Sequence, residues 1–173
     1  MAAALLAHHL DPLRVDAAVR SAGTRTYAPP VDPHAVRAVC EWGIDLTTHQ
    51  PRAIDRSIVT GDGADLIITM TRQHLRDVAA RERTAWTRTF TLREVVRRAS
   101  ALDASLRWDE WVDALGHGRR AVDMLGDDLD DDIADPYGAG QSEVNRTARA
   151  LHDLTHSLAR LAPWPGNDPD TIG

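Results

Sequence analysis

Asp135 is the first candidate for chemistry in this chain. It lies in Asp131-Asp132-Ile133-Ala134-Asp135-Pro136-Tyr137-Gly138, where an apolar pair leads a carboxylate into a proline. Pro136 fixes its own φ and pushes Asp135 towards an extended conformation at the start of a loop. A carboxylate held beside an aromatic ring and a proline suits a general acid if partial burial raises its pKa. From these residues alone, a turn with a solvated aspartate is the simpler reading. Two other groups could react. Cys40 lies on the apolar stripe of a helix and reads as a core residue. His49 reads as a polar loop residue.

The totals set limits on function. With 43% hydrophobic and 27% charged residues in 173, the chain suits one soluble domain with a sizeable core. A net charge of −6 argues against nucleic acid or an anionic membrane as the main partner. Every basic residue is arginine, which removes a lysine Schiff base and the lysine of a Walker-type loop. A single cysteine excludes an internal disulfide and a cysteine-rich metal site and fits the cytoplasm. The apolar opening, Met1 to His9, lacks a basic leader region and is too short for a membrane span. No metal or cofactor is expected.

The elements that must position Asp135 follow from periodicity. Residues 1–10 form a helix ending at Asp11-Pro12, with no capping residue before it. Residues 15–21, with Val15, Ala17 and Val19 alternating with Asp16, Ala18 and Arg20, predict a strand. Asp32 and Pro33 open a helix with the stripe Ala35, Val36, Val39 and Cys40, ending at Gly43. The run at residues 65–70 is too continuous for a half-exposed strand and suits one covered on both faces. Thr71 caps a helix with the stripe Leu75, Val78 and Ala79. Residues 86–90 alternate like a partly exposed strand, and Thr91 with Glu94 forms a capping box for a helix through Val95, Val96 and Ala99.

Leu106, Trp108, Trp111, Val112 and Leu115 give a further, docking helix. Residues 126–132 are acidic but lack the ligand alternation and central glycine of a calcium loop, so they read as a solvated linker. Ser142 caps a last long helix with Val144, Ala148, Leu151, Thr155, Leu158 and Leu161 on one face. The alternation of strand and helix predicts an α/β fold with a parallel sheet. The expected domain covers residues 1–162, with a helical insertion at about 101–125 and a flexible tail at 163–173.

Three signals in order, Ser21-Ala22-Gly23-Thr24, Gly43-Ile44-Asp45-Leu46-Thr47-Thr48-His49-Gln50-Pro51-Arg52 and Asp135-Pro136-Tyr137-Gly138, together resemble the low-molecular-weight protein tyrosine phosphatases. Asp32-Pro33 and the run from Ala64 through Met70 to His74 fit the same pattern. The resemblance implies a three-layer αβα fold around a four-stranded parallel sheet and hydrolysis through a phosphocysteine. It implies that Asp135 protonates the leaving phenolate of a phosphotyrosine protein or small aryl phosphate. By the same resemblance Tyr137 and Tyr27 line the substrate cleft, and Ser21 and His49 brace the phosphate loop. Ala28 stands where the family has glycine, in a shortened loop.

The family's first strand and its loop of cysteine, five residues and arginine have no counterpart here. Cys40 does not replace them, because Leu46 stands where the arginine would be. Aligned by the resemblance, Met1 falls inside the first helix, so the expectation is a reading frame begun late, at an internal methionine. Without the loop there is neither nucleophile nor amide nest for phosphate. A lone general acid is worth ~10²–10⁴-fold, against accelerations of up to ~10²¹ for phosphate monoesters. Residues 1–173 are therefore expected to be inactive, and the strands flanking the missing one to lack partners. A non-catalytic pseudophosphatase that binds or regulates is the alternative. An arsenate reductase of the same fold is a lesser one, since Cys40 alone cannot run an internal thiol relay.

Overall fold

The computed structural model describes residues 1–24, 30–60, 63–126, 128 and 130–166. Helices α1 (Ala2–Leu10), α2 (Pro33–Cys40) and the short α3 (Arg56–Val59) precede strand β1 (Ile67–Thr69) and helix α4 (Arg72–Arg81). Strand β2 (Thr89–Thr91), α5 (Leu92–Ala99), α6 (Trp108–Gly116) and α7 (Gln141–Leu161) complete the order. β1 and β2 pair in parallel, with Ile67, Ile68 and Thr69 opposite Thr89, Phe90 and Thr91. The fold is α/β, as expected. No described helix is long and apolar enough to cross a membrane.

The chain closes its helices with local side-chain caps. Asp32 accepts the His34 amide at 2.8 Å, and Thr71 accepts that of His74 at 3.2 Å. Such bonds satisfy amide donors that a helix leaves without an internal partner. Thr91 accepts the Glu94 amide at 3.1 Å, but only this half of the expected box forms. The Glu94 carboxylate turns to Arg98 and to Arg119, each at 3.0 Å. Asp55 caps α3, an element that four residues are too few to announce by periodicity.

β1 divides two apolar cores. Leu66, Ile68 and Met70 pack against the larger one, built from α1, α5, α6 and α7, while Ile67 belongs to a smaller one with Val59, Val78 and Ala85. Successive strand side chains point to opposite faces, so this alternation places helices on both sides of the sheet. The continuous apolar run at 65–70 has this cause.

Several sequence expectations are corrected. Residues 15–20 are not a ladder strand. Val15, Ala17 and Val19 still face the larger core half-buried, while Asp16, Ala18 and Arg20 are exposed, so the period of two survives without a paired neighbour. Residues 86–88 belong to a 3-10 turn, Arg83–Arg88, and the strand begins only at Thr89. Cys40 is exposed, because the buried face of α2 is Ala35, Ala38 and Val39, one residue around the helix from the expected stripe. α7 starts at Gln141 after Gly140, placing Ser142 inside its first turn. The start of the expected tail is anchored, and its residues 167–173 lie outside the described ones. Trp164 is buried, its indole donates to the Ala159 carbonyl at 3.0 Å, and the Pro165 carbonyl accepts the Asp16 amide at 2.9 Å.

α6 docks through aromatic stacking. Trp108 lies between Trp111 and Trp164, with centroids 5.6 and 5.1 Å away. Arg119 fastens the returning chain, with its guanidinium 4.2 Å from the Phe90 ring and donating to the carbonyls of Trp86 and Thr89. Burial lowers the Arg119 pKa from its ordinary value, opposed by the Glu94 carboxylate.

The acidic stretch before Asp135 is a clamp and not a solvated linker. Asp131 is only 2% exposed and accepts from Arg72 at 3.0 Å and from Arg97. Asp128 pairs with Arg72 at 2.8 Å, and Asp132 accepts the Arg72 amide at 2.7 Å. Burial pushes the Asp131 carboxyl up, but Arg97 and Arg72 together push it down further, leaving it below the usual range.

Trp111→Ala should cost about 3–5 kcal/mol, read from the urea midpoint of the chain. Asp131→Asn should cost about 1–3 kcal/mol at neutral pH, below a fully buried pair because Arg97 is half-exposed. The Asp131 contribution is present above the unfolded carboxyl pKa of about 3.9 and is lost as pH falls through the lower folded value. The stability gap between wild type and Asp131→Asn should therefore close on acidification below about pH 4.

Candidate active site

The Asp135 loop leaves the clamp along the carboxyl end of β1. The Ile133 amide donates to the Met70 carbonyl at 2.7 Å, and the Ile133 side chain is buried in the larger core. Crevices at the carboxyl ends of parallel strands are where open α/β sheets bind ligands. From Ala134 the chain turns into solvent. Asp135 is exposed, so the partial burial expected from the sequence is absent. What orients it is local: its carboxylate accepts the Tyr137 amide at 3.0 Å. Such a turn presents one oxygen outward while the other is held.

Pro136 and Gly138 finish the turn. Gly138 has φ of +78° and the Ala139 amide donates to the Pro136 carbonyl at 3.0 Å, a left-handed corner that a side chain would strain. Asp32, at the head of α2, sits below its usual carboxylate pKa. The His34 amide is the main cause, and the Gly138 amide adds to it. The loop is held at β1 and α4, and Gln141 just beyond it donates to the His34 carbonyl of α2 at 3.0 Å. Tyr137 stands beside Asp135 with 58% of its surface exposed. An exposed carboxylate and an exposed phenol ring on one rigid turn can pass a proton to a group lying against the ring.

Ser21 and His49 lie on two segments that a different contact joins. The amide of Gly23 donates to the Arg52 carbonyl and that of Ile54 to the Gly23 carbonyl, each at 2.8 Å, forming a parallel bridge between Gly23 and Ala53. Arg52 Nε donates to the Ser21 carbonyl at 3.0 Å, and the His49 amide closes a turn onto Leu46 at 3.1 Å. Both side chains are exposed. Among the described residues no hydrogen bond joins this bridge to the Asp135 turn. Tyr27 lies outside the described residues. Cys40 is exposed at the end of α2, with Leu46 and not arginine six residues on.

The groups that hold the loop, Asp131, Asp132 and Arg72, are not evident from composition. One signal was available. An arginine in the first turn of a helix opposes the helix dipole, so Arg72 directly after the cap Thr71 implies a carboxylate partner from elsewhere.

Residues 1–106 match the low molecular weight phosphotyrosine protein phosphatase family. The match ends before α6, so Asp135 lies beyond it. Among solved structures, a cysteine-to-serine variant of the YwlE arginine phosphatase with a phosphorylated active-site serine is 25% identical. It superposes with a TM-score of 0.65 over 92% of this chain and 84% of that one. A YwlE mutant from Bacillus subtilis is 26% identical, with a TM-score of 0.64 over 92% and 86%. A low molecular weight protein tyrosine phosphatase from T. tengcongensis is 22% identical, with a TM-score of 0.67 over 92% and 87%, and shows the fold alone. No curated protein sequence matches. Because the family match spans more than half of its residues, this chain belongs to the low molecular weight phosphotyrosine protein phosphatase family.

Proposed function

We propose that this protein is the acid-bearing part of a phosphomonoesterase acting on phosphotyrosine proteins or small aryl phosphates. The observation that carries the reading is the Ile133 to Met70 hydrogen bond, which fixes the Asp135 turn at the carboxyl end of β1. In the reaction a cysteine thiolate attacks phosphorus, the bond from phosphorus to the aryl oxygen breaks, and Asp135 gives its proton to that oxygen. Tyr137, with Tyr27 opposite, lines the cleft for the aryl ring. Ser21 and His49 brace the phosphate loop. Hydrolysis of the phosphocysteine then returns a proton from water to Asp135, the same step run backwards.

The 173 residues hold no cysteine, five residues and arginine sequence. The thiolate and the amide nest therefore have to come from residues outside them, together with a strand beside residues 15–20 and β1. The half-buried, unpaired alternation of Val15, Ala17 and Val19 supports this. Residence in the cytoplasm is part of the proposal and rests on the single cysteine. The solved YwlE structures add phosphoarginine as a second phosphoryl donor to assay, since its leaving nitrogen also needs a proton.

The same unpaired segment favours a second reading, a non-catalytic module that takes its missing strand from a partner by edge pairing. A stable, monodisperse chain with slow amide exchange in β1 and β2 would favour it. A molten, aggregating one would exclude it.

Residues 1–173 alone should give no turnover of an aryl phosphate, and measurable turnover would refute the missing nucleophile. In a chain extended by the strand and cysteine loop, Asp135→Asn should lower kcat on phenyl phosphate by about 10²–10⁴-fold. With a nitrophenyl leaving group, which departs without a proton, the loss should be only a few-fold. Equal losses on the two substrates would remove Asp135 from the role.

A further inference from the structure

Four imidazoles lie at the junction of α1 and α7, away from the Asp135 turn. His9, in the last turn of α1, sits with its ring 4.7 Å from that of His152 and 5.2 Å from that of His156, two residues one turn apart on α7. His8 flanks it at 5.6 Å. Trp42, just after α2, stacks on His152 at 4.6 Å. His9 Nε2 is buried without a hydrogen-bond partner.

We propose that His9, His152 and His156 form a proton-sensitive latch that holds α1 on α7 when neutral and loosens it on acidification. A second proton on His9 would place an N–H where no acceptor stands, and a buried donor left unsatisfied is costly. It would also place a charge among three further imidazoles, away from bulk water.

The surrounding charges are divided. Asp153 lies 3.3 Å from His152. Asp11 and Arg160 line the cleft that His8, His9 and His156 share. One turn earlier on α7, Arg149 pairs with Glu41 at 4.0 Å. The carbonyl end of α1 and the His152 backbone favour a charged His9. Burial, and then His152, His156 and His8, outweigh them and hold His9 below its ordinary pKa.

The sign follows. A histidine whose folded pKa is depressed binds fewer protons folded than unfolded, so its contribution is complete above the unfolded value of about 6.5. It is lost as pH falls below that value. α1 would feel this first, because Leu5, Leu6 and Leu10 hold it in the larger core and its carboxyl end leads into residues 15–20.

Amide hydrogen exchange of α1 in the whole chain at pH 7.5 and 5.5, corrected for intrinsic rates, tests the latch. Protection at Leu5, Leu6 and Leu10 should fall by up to about tenfold in the wild type, the limit for one proton per pH unit. In His9→Gln it should change by less than about twofold. The His9 ring protons, followed by NMR in the wild type, should titrate below about 6.5. Equal protection at both pH values, absent protection at pH 7.5, an unchanged fall in His9→Gln, or a His9 titration at or above 6.5 would each overturn the proposal.

Discussion

The requirement that β1 be covered on both faces organises this molecule. Three strand residues separate the two cores, and everything placed on the sheet has to respect their alternation. Coverage is unequal. Ile67 and Thr69 are buried, whereas Leu66, Ile68 and Met70 are half-buried, on the side where residues 15–20 run extended without a partner. Among the described residues the sheet has two strands, and the half-buried face of β1 is the one turned to the core that the N-terminal segment also lines.

The Asp135 loop is held by charge. Asp131, Asp132 and Asp128 converge on Arg72, and Arg97 closes the group from α5, so the loop is anchored to two helices. Ionic anchoring and apolar anchoring act in series here. Ile133 is seated in the core one residue beyond the ion pairs, and only past it does the chain become free to present Asp135. The turn that carries Asp135 is thus held by β1, α4 and α5, apart from the bridge between Gly23 and Ala53.

Much of this was legible in the sequence where one period dominates. The helices of α1, α2, α4, α5 and α7 follow from apolar spacing and from caps such as Asp32 and Thr71, which act within three residues of themselves. Failures arose where a distant partner decided the outcome. The alternation at 15–20 predicts a strand, but a strand is defined by its neighbour and none pairs with it among the described residues. Cys40 was displaced from the core by a single residue of helical phase. Residues 126–132 were read as solvated because charge is ordinarily solvated, and the partners that bury Asp131 lie far away in sequence. Trp86 alternated like a strand residue, yet Arg119 and the carbonyls it collects hold that segment as a turn. For the site, Asp135 and Tyr137 were identified by family resemblance, while the residues that hold their loop were found only through the structure.

The clasp between the two ends of the chain bears on how the protein is made. Asp16 bonds to Pro165, and α1 packs along α7, the last helix to be synthesised. At about 5–20 residues per second, the first helix waits on the order of ten seconds for its partner to leave the ribosome. During that interval the face of α1 that meets α7 is uncovered, a delay set by connectivity alone.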